Sequence, residues 1–289
     1  MAKRIAFGFL WLFIGISALV LMRTWVFLIF GVFLCATATY ELNRSTGLEN
    51  KPVMILSVVV SGLFPVYYEY GHYLREIEGL NLKTEYLIIM YVLLLCFLML
   101  HNHEKTKFSH ISFVVMSSLC LPFAFTRFLF FRDIAKYYPD KGYTNAHGMF
   151  LILFILFAAC MTDVCAYFVG SALGKHKLCP KISPKKTVEG AIGGVIGCVI
   201  GNVGLYAVYD NFFFENSVHN YVPIIIASVI ASIVGMCGDL TASLIKRNYG
   251  VKDFGNLIPG HGGIMDRFDS ILFVAVAFYA VFNIFEVSI

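Results

Sequence analysis

The chain has 289 residues, 59% hydrophobic and only 14% charged, with a mean hydropathy of +0.77. Soluble domains carry about 25% charged residues, so the composition argues against a soluble fold, and repeated runs near twenty apolar residues argue for an all-α, polytopic membrane protein over a β-barrel. The net charge of +4 suits basic loops facing an anionic leaflet and speaks against a nucleic-acid partner.

In chain order, nine spans are expected, at about 5–22, 24–40, 52–70, 86–101, 109–126, 148–171, 188–209, 221–241 and 268–286. The first follows Met1-Ala2-Lys3-Arg4 and resembles a signal peptide, but no small-x-small site ends it, so it reads as an uncleaved span. Segment 127–147 carries four cations and is read either as a loop or as an interfacial helix with snorkelling basic side chains. The eight cysteines form no CxxC pair and mostly sit inside apolar runs, as small core hydrophobes do. With the N-terminus in the cytoplasm, 15 cations fall on the inner side and 7 on the outer, which sets the expected orientation.

Polar residues divide the chain into a transmembrane scaffold, 1–147, and a working half, 148–289. In the working half Asp163 and Asp239 lie inside spans, both toward the expected cytoplasmic face. A charge there costs several kcal/mol unless it is paired or hydrated, so its default reading is functional; a helix–helix hydrogen bond is the alternative. Asp266 and Asp269 open the last span, three residues apart on one helix face. Capping explains one acid in a first turn. It does not explain a third, Asp239, expected at the same face, whereas converging carboxylates are what a hard cation such as Mg²⁺ requires.

Two loops add cations. In Ile182–Gly190, Lys185 and Lys186 suit phosphate oxygens, Thr187 is positioned to cap the next helix, and Glu189 lies in its first turn. In 243–269, Lys246, Arg247, Lys252, Asp253 and Arg267 surround Pro259-Gly260-His261-Gly262-Gly263. Glycines let backbone N–H groups approach an anion; His261 is placed to bond a phosphate or a base, or to brace the turn. The P-loop pattern is absent. Gly190, Gly193, Gly194 and Gly197 fit either a homodimer contact or packing within one bundle.

These residues resemble the phosphatidate cytidylyltransferase (CDP-diacylglycerol synthase) family. Ser243, Ile245, Lys246, Arg247, Lys252, Asp253, Gly255, Ile258, Pro259, His261, Gly262, Gly263, Ile264, Asp266, Arg267, Phe268 and Asp269 fill every specified place of its signature. Asp163 with Ala166-Tyr167-Phe168 and Gly170, and Ser183-Pro184-Lys185-Lys186-Thr187 with Glu189-Gly190, are similar to its upstream pieces. The resemblance covers about 150–285 and implies transfer of CMP from CTP to phosphatidic acid at the bilayer, releasing pyrophosphate, with Mg²⁺ on Asp239 and Asp266 and a second cation such as K⁺ sharing that site. The compact length points to the bacterial inner membrane, with the endoplasmic reticulum as alternative. A CTP-dependent polyprenol kinase, or a cytidylyltransferase for another lipid phosphate, is the competing enzyme. A transporter would spread its acids across the bilayer depth, whereas here they gather at one face.

Overall fold

Helix boundaries follow the apolar runs and the residues that interrupt them. The structure, a computed structural model, describes residues 13–75, 83–214, 220–257 and 262–285. After a helical stretch over 13–20 come α1 (Trp25–Ser45), α2 (Lys51–Arg75), α3 (Thr84–His101), α4 (Phe108–Arg132), the short α5 (Ile134–Tyr137) and α6 (Asn145–Leu173). An antiparallel hairpin, β1 (Lys177–Cys179) and β2 (Ser183–Thr187), leads into α7 (Val188–Phe212), α8 (Val222–Asn248) and α9 (Met265–Phe285). Among the described residues eight helices are long and apolar enough to cross a membrane, and the chain is a polytopic all-α membrane protein. The expected first span, 5–22, lies partly outside the described residues.

Side-chain caps start several helices where the sequence places them. Thr24 accepts the Val26 N–H at 3.3 Å to open α1. Thr187 accepts the Gly190 N–H at 3.1 Å and opens α7, as its position before an apolar run predicts. Each cap satisfies an N–H that has no partner within the helix.

The chain forms two compact units, Met1–Thr126 with Val251–Asp266, and Arg127–Gly250 with Arg267–Ile289. In the first, an apolar cluster of Leu48, Val53, Tyr91, Leu95, Ile111 and Val114 joins α2, α3 and α4. Beside it runs a buried polar ladder. Thr39 donates to Ser61 at 2.7 Å, the Asn43 amide donates to Ser57 at 2.9 Å, and Ser117 donates to the Asn43 carbonyl oxygen at 2.7 Å. Such groups need partners across helices because hydrocarbon offers none. The ladder fixes the rotation of α1 against α2 and α4.

In the second unit α6 and α7 meet along a glycine seam. A Cβ at Gly190 would stand 2.7 Å from the Ala166 carbonyl oxygen, and one at Gly194 would stand 2.9 Å from that of Thr162. Packing within the bundle therefore accounts for these glycines. Gly194→Leu is expected to destabilise the unit by about 1–3 kcal/mol through overpacking, while Gly204→Leu on the same helix, with no atom within 4 Å of its Cβ position, stays near wild type. Thermal unfolding in detergent checks this; equal midpoints for the two variants would show that the seam is not close-packed.

Segment 127–147 is not one interfacial helix. Helix α4 runs on to Arg132, and the short α5 and a 3₁₀ turn at Pro139–Lys141 follow. Arg127 and Arg132 are buried instead of snorkelling. The Arg127 guanidinium lies 4.2 Å from the centre of the Tyr279 ring, and Arg132 Nε donates to Asp133 at 3.0 Å. A π face and a neighbouring carboxylate replace the water those cations would otherwise seek. Phe130 and Phe131 pack beside them against Phe278, Tyr279 and Phe282 of α9.

Candidate active site

Helix α8 carries Asp239, and one turn further on Ser243 shares its face. Lys186 reaches from β2 to form an ion pair with Asp239, both side chains about a quarter exposed. Asp163 of α6 interacts electrostatically with Asp239, Lys186 and Arg267. Asp269 of α9, buried at 7% exposure, interacts with Asp239, Lys246 and Asp163, and its Oδ1 accepts the Ser270 N–H at 2.8 Å. Three carboxylates and three cations on four elements therefore share one neighbourhood in the second unit. Asp163, the one exposed acid of the three, has Lys186 and Arg267 to offset its charge; an unpaired carboxylate facing hydrocarbon would cost several kcal/mol.

The hairpin is held by an unpredicted clamp. The Glu189 carboxylate accepts the backbone N–H of Lys175 at 3.1 Å and of His176 at 3.2 Å, and also meets His176 Nδ1 at 2.6 Å. It lies in the first turn of α7, as expected, and it braces the connection that enters the hairpin carrying Ser183, Lys185 and Lys186. Lys185 is exposed. Thr187 is occupied as the α7 cap.

Residues 251–266 of the signature belong to the first unit. After Gly250, with φ of 67°, Lys252 and Asp253 are exposed. His261, with Ile258, Pro259 and Gly260, lies outside the described residues. Gly262 has φ of 86°, a left-handed conformation that other residues adopt at a cost. The turn aims the Gly263 N–H at Asp266 Oδ2, 3.0 Å away, and the Phe254 N–H reaches the same oxygen at 2.9 Å. One carboxylate oxygen thus ties the start of the loop to its end. Lys246 and Ser243 are half-buried and Arg247 and Arg267 exposed on their helices.

Glu41 was not legible as a site residue. It is 5% exposed near the end of α1, and its Oε2 accepts the Met265 N–H at 3.0 Å. Gly255 and Gly263 both abut its carboxylate, where any Cβ would collide. The one signal in the sequence is an acid followed by Asn43 at the end of an apolar run.

Asp239 and Asp266 each offer carboxylate oxygens, which suit a hard divalent cation such as Mg²⁺. Among the described residues no group of three or more His, Cys, Asp or Glu side chains is gathered to hold a metal by itself. Substrate phosphate oxygens and water commonly complete the coordination of such cations, which are often held by only one or two carboxylates, so the residues fit.

A model of the cytidylyltransferase family matches residues 2–285. The chain is 31% identical over 252 residues to the phosphatidate cytidylyltransferase of Bacillus subtilis, covering 87% of this chain and 86% of that one. It is 33% identical over 194 residues to the phosphatidate cytidylyltransferase of Staphylococcus haemolyticus, 67% of each chain. It is 41% identical over 143 residues to that of Haemophilus influenzae, 48% of this chain and 47% of the relative. The match spans both units and nearly the whole length, and the chain belongs to the cytidylyltransferase family.

Proposed function

We propose that this protein is a phosphatidate cytidylyltransferase that transfers CMP from CTP to phosphatidic acid, giving CDP-diacylglycerol and pyrophosphate. The observation that carries the reading is the 252-residue similarity to a relative of that name, 87% of this chain, beside a family match over residues 2–285. An oxygen of the lipid phosphate attacks the α-phosphorus of CTP in line. A new P–O bond forms, the bond between the α-phosphorus and the bridging oxygen breaks, and pyrophosphate leaves without a covalent enzyme intermediate. Catalysis then consists of positioning and charge neutralisation.

Lys246, Arg247, Lys252 and Arg267 hold the triphosphate and the lipid phosphate, with Lys185 and Lys186 supplementing them. By the resemblance, Asp239 and Asp266 are the acids that hold Mg²⁺, and K⁺ is the proposed second cation. Bound there, the divalent ion supplies charge to offset the repulsion between two anionic reactants. Asp163 and Asp269 keep Lys186, Lys246 and Arg267 paired and oriented. The division of roles at 147/148 stands as part of this proposal, with 1–147 as support and 148–289 carrying the chemistry. CTP is a soluble cytosolic nucleotide, and the cation bias of 15 to 7 supports a cytoplasmic N-terminus and inner-face site. The bacterial relatives favour the inner membrane.

The test uses purified protein in detergent with Mg²⁺, phosphatidic acid and CTP labelled separately at the α- and γ-phosphates. The α-label is expected in lipid, with pyrophosphate released. Transfer of the γ-label alone to a lipid alcohol, with CDP formed, would make the protein a lipid kinase instead.

A further inference from the structure

We propose that Glu41, which bonds Met265 224 residues away in sequence, is a positioning residue for the signature loop, acting through Asp266. Its carboxylate accepts backbone N–H bonds from Ile264 and Met265 at the start of α9. There the unpaired N–H groups and the helix dipole both favour a negative acceptor. The same carboxylate fills the space that Gly255 and Gly263 leave open, on either side of the segment whose ends Asp266 Oδ2 ties together through Phe254 and Gly263. Glu41 thus sets the path of the backbone, and that backbone sets Asp266.

The position of Glu41 is fixed from behind. Thr39 and Asn43, two residues to either side of it, are the α1 members of the buried ladder with Ser57, Ser61 and Ser117. A rotation of α1 large enough to withdraw Glu41 breaks those bonds. A carboxylate at 5% exposure is also costly to bury without partners, so its hydrogen bonds to the loop and the placement of the loop are coupled. A core residue with only a packing role would need neither charge nor two glycines opposite it.

The kinetic part of the proposal rests on the cytidylyltransferase reading; the loop part does not. The full chain in detergent would be prepared as wild type, Glu41→Ala, Glu41→Asp, Gly263→Ala and the double variant E41D/G263A. In Glu41→Ala, hydrogen exchange at the Phe254, Gly263 and Met265 amides is expected to rise at least about tenfold while amides within α2 keep their protection. Unchanged exchange at those three amides overturns the proposal. An equal rise across α1–α4 also overturns it, since Glu41 would then only stabilise the unit.

In the same variant kcat is expected to fall about 100-fold with KM for CTP within about threefold, the pattern of a displaced transition-state group. Asp is one methylene shorter than Glu and makes room for the alanine Cβ. The double variant is therefore expected to turn over at least about tenfold faster than the product of the single effects; strict additivity would refute contact between these groups. A wild-type protein that fails to move the α-label into lipid defeats the functional reading, and the exchange measurements still decide the role of Glu41.

Discussion

Asp266→Asn is expected to cut CMP incorporation into lipid by about 1,000-fold or more, equivalent to about 4 kcal/mol of transition-state stabilisation, with little change in folding. The local geometry explains the split. Asp266 Oδ2 accepts the Phe254 and Gly263 N–H groups at 2.9 and 3.0 Å, and the carbonyl oxygen of an asparagine can accept the same two. The loop stays closed. What disappears is the negative charge, which the proposed hard cation requires of its ligand. Asp266→Ala removes the tie as well and should loosen the loop in addition to abolishing turnover. The assay is α-label transfer, run beside thermal unfolding and hydrogen exchange of the Phe254 and Gly263 amides. An Asn variant that keeps more than a tenth of wild-type turnover would remove Asp266 from the metal site.

Lys186→Met is expected to lower kcat/KM about 100-fold while changing stability by no more than about 1 kcal/mol. Lys186 is the ion-pair partner of Asp239, and with it gone Asp239 faces Asp163 and Asp269 with one cation fewer. Both partners are about a quarter exposed, so solvent screens the pair and its contribution to stability is small. The effect on turnover is expected to be larger because, on the proposed reading, the same ammonium meets phosphate oxygens during the reaction. Methionine keeps the apolar stem, so packing is preserved. Lys186→Arg retains the charge and should recover part of the loss. Steady-state kinetics in both substrates decide the matter; a methionine variant within threefold of wild type would make the pair structural only.

The two residues also show how much of the site could be read in advance. Asp266 stands in a dense run of fixed polar positions, and its chemistry follows from that local context. Lys186 was legible as a basic loop residue, but its pairing with Asp239 was not, because that depends on how a hairpin folds back over a helix 53 positions further along the chain. Glu189 shows the same limit. Its place in a first turn was readable, and its clamp on Lys175 and His176 was not, since a helix dipole and a bond to a preceding loop favour an acid equally well.

By itself the sequence determined the membrane class, the positions of the long helices, the Thr187 cap and the membership of the signature. Each depends on neighbours in the chain: apolar length against bilayer thickness, a hydroxyl three residues from an orphan N–H, fixed spacings in one loop. Only the tertiary structure decided that Arg127 and Arg132 are buried, that the glycines of α7 face α6, and that Glu41 reaches the signature loop. Those outcomes depend on the rotation and depth at which one helix meets another. Rotation and depth are set by interlocking side chains from distant segments, such as the Thr39, Asn43 and Ser117 ladder. A lone acid in an apolar run looks the same in sequence whichever way its helix turns.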